Sequence, residues 1–407
     1  MGSGASRSKG IKKVCAHHRG GINWLSLSPD GKYLLTCSED GTARLWETTG
    51  QQCFAVFQGH ENYITHGHLE NDVAYTCSAD HTVRKWNIVT GSCTHIFRGH
   101  TSTVNKVLVT RGCVFSGSYD RTARYWSSDG GRLLQEFRGH RNSVLALAHF
   151  SSQDLQPESE SDSEQNRDFL VTASSDCTVK LWLVQDGRCY HTLRGHKGAV
   201  LCMALDTPSK TLFTGSTDHT VRCWDLTTGG QTRVLQDHQG SVVCLELANR
   251  HLYTGSADRT VKSWLTASGK CVHTFKVHKH TVSTIKDHDG ILFTGSGDSC
   301  ARAFDTKSGA LRRVFKGHSF IINCLQVHNK VLYTASHDGT MRIWDVKGLY
   351  NEKTSRGSHC AGSAGSSLAQ MRKNNRVGCV QALNEPTRGR CSGEEHESGE
   401  RGSLELI

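Results

Sequence analysis

The chain has 407 residues, a net charge of +10 and 17 cysteines. That length is enough for a large core, but no run approaches the ~20 apolar residues of a membrane span and no apolar leader opens the chain. No Cys-x-x-Cys pair occurs, so zinc-ribbon and thioredoxin-like readings lack their spacing, and scattered thiols without a leader fit the cytoplasm.

Residues 1–9 form a flexible start, "MGSGASRSK". Gly2 and Ser6 match the Met-Gly-x-x-x-Ser pattern of N-myristoylation, and Arg7, Lys9, Lys12 and Lys13 follow. One myristoyl chain binds a membrane marginally, and a basic cluster supplies a second signal. Gly2 is therefore the candidate lipidation site, with weak and partial membrane attachment as its consequence. An ordinary flexible start is the alternative.

From His18 onward the chain repeats. A Ser-x-Asp pair recurs periodically eight times, from Ser38/Asp40 to Ser336/Asp338. Six residues after each Asp stands Trp46, Trp86, Trp126, Trp182, Trp224, Trp264, Phe304 or Trp344. Successive Asp residues are 40 to 42 positions apart, apart from one step of 56. A histidine precedes each pair, five times as Gly-His. In "GSTDHTVRCWD" (215–225), with His196 upstream, Ser216 and Asp218 supply the parts of a hydrolytic triad. A nucleophile is needed once per active site, however, and eight copies at one period mark scaffold. No catalytic residue, metal ligand or cofactor site is expected, and the chain reads as a non-enzyme.

Residues 97–137 show the unit. An apolar run after Gly-His, "CVFSGS", "TARYW" and "RLLQEF" are four short β-rich runs separated by turn residues. Four strands per ~40 residues predict an all-β, single closed propeller. The propeller spans 10–348. Eight copies of the first three strands need eight fourth strands, and seven lie between repeats. "GIKKVC" (10–15) stands where the eighth would, so the N-terminus is expected to pair with the last blade near 340–346 and close the ring. Eight four-stranded blades follow; seven with one irregular repeat is the alternative.

On these residues the chain resembles the WD-repeat β-propeller family over 10–348. The Trp-Asp pair itself is complete only at Trp224-Asp225 and Trp344-Asp345, with Phe304-Asp305 close. The resemblance implies structural tetrads in which the indole donates to the Ser hydroxyl, the hydroxyl meets the His, and the His meets the turn Asp. The sets include His60, Ser78, Asp80 and Trp86; His100, Ser118, Asp120 and Trp126; His196, Ser216, Asp218 and Trp224; and His318, Ser336, Asp338 and Trp344. Phe304 has no donor, so Ser296 is expected to lack its indole bond.

Four residues after each turn Asp comes Arg44, Arg84, Arg124, Lys180, Arg222, Lys262, Arg302 or Arg342. One recurrent position thus carries most of the positive excess. Its side chains are expected to lay their stems over neighbouring strands and reach outward. Spread around a ring they make no single patch, so no specific nucleic-acid partner is expected.

Repeat four is stretched by "SSQDLQPESESDSEQNRD" (151–168), with five net negative charges. It reads as a disordered acidic surface loop whose Ser159, Ser161 and Ser163 suit acidophilic kinases. Residues 349–407 leave the period and read as a disordered tail.

The resemblance also implies a protein or peptide partner on the rim. Rim candidates are the residue before each turn Asp and the fifth after each His, and none of these sixteen is Arg or Lys. With no F-box-like segment present, that counts against a phosphodegron reader. Tyr63, Tyr119, Phe320 and His337 are the anchors expected to bind, since exposed aromatics are favoured hot spots. The expected function is a monomeric, non-enzymatic interaction scaffold; a substrate adaptor for a ubiquitin ligase is the alternative.

Overall fold

The computed structural model describes residues 10–70, 72–155 and 167–350. Eight four-stranded antiparallel sheets account for every strand among them. In blade three the order from the axis outward is Val104–Thr110, Cys113–Ser118, Thr122–Ser127 and Leu133–Arg138. Burial follows that order. Cys113–Ser118 is covered along nearly its whole length, whereas Leu133–Arg138 is largely exposed.

The ring closes as the strand count requires. Ile11–Cys15 joins Ile322–His328, Val331–Ser336 and Met341–Asp345 as the outermost strand of blade eight. Ile11 pairs with Trp344 and Cys15 with Met341. This gives Met341–Asp345, the third strand of blade eight, a partner on its outer edge.

The core has no single centre; it lies between blades. One cluster joins Leu35, Cys37, Leu45 and Phe57 of blade one to Ile64, Leu69 and Trp86 of blade two. Another joins Tyr333, Met341 and Ile343 of blade eight to Ile22, Leu34 and Trp46 of blade one. A lone blade would expose both apolar faces, so each blade's burial depends on its neighbours. The thiols serve this packing: Cys37, Cys77, Cys202, Cys244 and Cys324 are buried and form no disulfide.

Two expected boundaries shift. The inner strand of blade four runs on as Val144–Ser151, and Ser151 pairs with Asp168, so both ends of the acidic insert belong to the sheet. Asp154 also accepts from the Ser151 backbone at 2.8 Å and pairs with Arg111 at 2.5 Å. The chain stays packed past residue 348, with Leu349 and Tyr350 against the blade-eight core. Gly2, the three candidate phosphoserines and the tail from 351 lie outside the described residues.

Candidate functional site

Each blade's outer-to-inner loop and its tight turn meet at one end of the ring, here called the rim. In blade two, His60 reaches down from that loop. Its Nδ1 donates to Asp80 at 2.6 Å. Its Nε2 accepts from the Thr76 hydroxyl at 2.8 Å, and the Trp86 indole donates to the same hydroxyl at 2.8 Å. The donors run one way, from indole to carboxylate, with a neutral imidazole in the middle. Burial holds His60 below the ordinary histidine range. Burial also pushes Asp80 up, but donation from His60 and Thr82 outweighs it and holds the carboxyl well below its usual range.

The hydroxyl in this chain is not the expected serine. Thr76, Ser116, Thr214 and Thr334 take the indole bonds of Trp86, Trp126, Trp224 and Trp344. Ser78, Ser118, Ser216 and Ser336 stand two residues later and hold the turn instead. Ser78 accepts from the Asp80 backbone at 3.0 Å and donates to the Tyr63 carbonyl at 2.9 Å. Register explains the correction: Trp86 lies opposite Ala74 and Thr76 opposite Arg84, so the indole meets position 76 before 78. A hydroxyl recurs at that position in all eight repeats, Thr36 through Thr334. The signal was present, and the Ser-x-Asp spacing masked it.

The Ser216–His196–Asp218 triad does not assemble: Ser216 is fully buried and bonds the Gly198 carbonyl and the Asp218 backbone at 3.0 and 3.1 Å, while His196 reaches Thr214 instead. The Thr214 hydroxyl is fully buried and already engaged by His196 and Trp224 at 2.8 and 2.9 Å. No substrate carbonyl can reach it.

Blade seven departs from the other seven. Phe304 is buried with no donor, so Thr294, and not Ser296, lacks the indole bond. Ser296 keeps its turn contacts to the His280 carbonyl and the Asp298 backbone at 3.0 and 3.1 Å. Cys300 replaces the threonine that elsewhere donates to the turn Asp. Arg302 fills the gap, reaching Asp298 at 2.8 Å and donating to His278 Nδ1. The same Nδ1 lies 3.3 Å from Asp298, the longest of the eight histidine–carboxylate contacts. A guanidinium can only donate, so with Arg302 as the donor Nδ1 would accept and the imidazole proton would sit on Nε2, facing Thr294.

Four of the eight recurrent basic residues are covered rather than outward-reaching, and Arg44, Lys180, Arg222 and Arg342 are half-buried. Arg84, Arg124, Lys262 and Arg302 are buried, and Arg124 pairs with Glu136 at 3.1 Å. The Gly-His glycines make room for them: at Gly99 (φ +150°) an added Cβ would lie 2.0 Å from Arg124 Nη1.

The two sets of rim candidates separate. The fifth residue after the His falls at a bulge in the inner strand and turns sideways. Asn23 donates to the Ile64 carbonyl at 3.0 Å, Thr65 to Val104 at 2.6 Å, Asn105 to Leu145 at 2.8 Å and Asn323 to Ile22 at 2.9 Å. These are latches from one blade to the next, and the last closes the ring. Apolar Leu145 and Val243 occupy the position elsewhere and are buried.

The turn positions do face the rim. Phe320 is 59% exposed and packs edge-on against the His337 ring at 6.2 Å, while His337 lies 3.4 Å from Glu39. These three meet at the junction of blades eight and one. Tyr63 and Tyr119 stand on blades two and three, exposed and half-buried respectively.

The inner strands surround a channel of about 840 Å³. Within it the Lys106 ammonium lies 4.0 Å over the Trp24 ring, and the His66 ring lies tilted by 40° at 4.2 Å from the same indole. Among the described residues no cluster of His, Cys, Asp and Glu could hold a metal, and no helix is long and apolar enough to cross a membrane.

The family model for the WD domain, G-beta repeat, matches eight times, at residues 9–47, 51–87, 91–127, 131–182, 187–225, 229–264, 269–305 and 309–345. The chain belongs to the WD40 family. Its members are commonly protein-interaction scaffolds rather than enzymes. Human WD repeat-containing protein 86 is 67% identical over 213 residues, covering 52% of this chain and 56% of the relative. Ribosome assembly protein 4 of Chaetomium thermophilum is 59% identical over 34 residues, 8% of this chain and 7% of its own. The chain thus spans about half the length, or less, of the curated relatives it matches. The crystal structure of the computationally designed Ika8 protein superposes with a TM-score of 0.71 at 25% identity, covering 83% of this chain and 98% of that one.

Proposed function

We propose that this WD40 ring is a monomeric cytoplasmic scaffold that holds a partner protein on its rim, with Phe320 and His337 as the central anchor. The observation that carries the reading is the exposure of Phe320. Elsewhere in the ring, the phenylalanines that end the outer strands, such as Phe57, Phe97 and Phe137, are buried between blades. A large ring presented to water beside an imidazole is the kind of group that a partner's surface desolvates with gain.

Topology supports the same end. The flanks of the acidic insert, Ser151 and Asp168, lie at the far end of blade four. Ile11, nearest the N-terminus, lies opposite Trp344, while Cys15 is the end nearer the rim.

The test is affinity capture from cells with wild type and Phe320→Ala/His337→Ala, read by mass spectrometry. Partners lost from the double variant, with an unchanged melting temperature, support the reading. An identical set of partners would overturn it. Cullin components among those lost would specify a ubiquitin-ligase adaptor.

A further inference from the structure

The rim carries unpaired positive charge that the recurrent buried arginines do not explain. Its loops present Arg19, Arg141, Lys197 and Lys279, and its turns present Arg121 and Arg259, all exposed. None of these six side chains makes an ion pair among the described residues. The eight turn carboxylates beneath them are already engaged, with side-chain exposures between 5% and 12%. Each also has a basic residue four positions on in its own blade.

The opposite end is different. There Lys32 pairs with Asp30 at 3.1 Å, Arg188 with Asp186 at 3.5 Å and Lys12 with Asp345 at 3.7 Å. Exposed Glu47, Asp72, Asp129 and Asp289, with half-buried Asp206, Asp225 and Asp305, offset the remaining bases there. The ring is therefore electrically two-sided, which its total charge does not reveal.

On the rim the charge is also sectored. Five of the six bases run through blades three to seven. The Phe320–Tyr63 sector carries Glu39 and Glu61 beside Arg19, all exposed, and the one exposed acid within the arc, Asp237, is paired with Lys262. We infer that the rim docks an acidic, extended segment of a partner protein. Its carboxylates lie along the arc from Arg121 to Lys279, and an apolar side chain at its end meets Phe320. The inference rests on the rim-binding reading above and adds the partner's chemistry. A phosphate backbone, charged at every step, would meet Glu39 and Glu61 as it crossed the aromatic sector; a peptide can place its apolar residue there. Complementary charge of this kind sets encounter rate and specificity more than raw affinity.

The experiment uses the full chain and a fluorescein-labelled peptide of alternating Glu and Ser ending in Leu-Trp. A matched Lys peptide and a single-stranded DNA oligonucleotide serve for comparison, all at low salt. Arg141→Glu/Lys197→Glu/Arg259→Glu should weaken the Glu peptide at least about tenfold, since three contacts are reversed. Lys32→Glu/Arg188→Glu, at the far end, should leave binding within about twofold, and added salt should weaken the wild type. Melting curves check the fold, and the Gln triple replaces the Glu triple if the latter melts early. Equal effects from both ends, a tighter oligonucleotide, or no Glu-peptide binding would overturn the inference. If partner capture depends on Phe320 while the triple has no effect, only the acidic-segment inference fails. If capture depends on neither, the rim reading fails too.

Discussion

Asp287 occupies a place built for a hydrocarbon. The matching inner-strand position, opposite the second residue of the next strand, is Leu27, Leu69, Val109, Leu205, Leu247 or Val327 in six other blades. One Asp287 oxygen is buried without a hydrogen bond, as is one oxygen of Glu246, whose other oxygen pairs with Lys286 at 2.9 Å. Burial, then repulsion from Glu246 and Asp289, pushes the Asp287 carboxyl up to about 6 from 3.8. A raised value in the fold means that stability is fully present below pH 3.8 and is lost as pH rises through about 6. The shift corresponds to about 3 kcal/mol as an upper bound at neutral pH, and about 1–2 kcal/mol once partial solvent access is allowed for. Asp287→Asn keeps the shape and removes the titration. At pH 7 it should melt about 1.5–3 °C above wild type, taking an unfolding entropy of about 2 cal/mol/K per residue over the ring. The gap should close by about pH 4, where the wild-type carboxyl is protonated too. Differential scanning calorimetry of both proteins from pH 4 to pH 8 measures it. A gap that stays constant with pH, or a variant that is less stable at pH 7, would refute the burial argument.

Three other outcomes follow from the tetrads. Thr76→Val should cost about 1–3 kcal/mol in denaturant titration, because it leaves the Trp86 indole and His60 Nε2 without partners; a neutral effect would mean that water replaces the hydroxyl. The ring nitrogens of His278 should show the opposite tautomer to those of His60 in ¹⁵N NMR at neutral pH, and matching tautomers would remove Arg302 as the donor. The turn carboxylates, Asp80 and Asp120 among them, are held below 3.8 in the fold. Depressed values contribute stability that is present above that pH and lost as pH falls through the folded values. The buried histidines, His60 and His100 among them, are held below 6.5 in the fold and so cost stability as pH falls through 6.5. Acid unfolding of Asp287→Asn followed by circular dichroism should therefore show a gradual loss from about pH 6 that steepens below about pH 4, and stability that stays flat from pH 7 to pH 4 would contradict it.

The period, the strand count and the closure by residues 10–15 were all legible in the amino-acid order. Repeats place equivalent residues at equal spacing, and an odd fourth strand can only come from a terminus. Composition also marked Phe304 as a break in the pattern. Other features needed three dimensions. Thr76 and Ser78 both carry a hydroxyl within reach of the turn, and only the pairing of Trp86 with Ala74 decides which one the indole meets. Asn23 and Asn323 read as rim residues until the bulge turns them toward the next blade's carbonyl. The +10 total charge says nothing of where it lies. Folding buries many of the recurrent bases beside the turn carboxylates and leaves Arg121, Arg141, Lys197, Arg259 and Lys279 in water at one end. Sequence spacing sets which residues are equivalent; register and burial, which depend on the neighbouring strand and blade, set what each can touch.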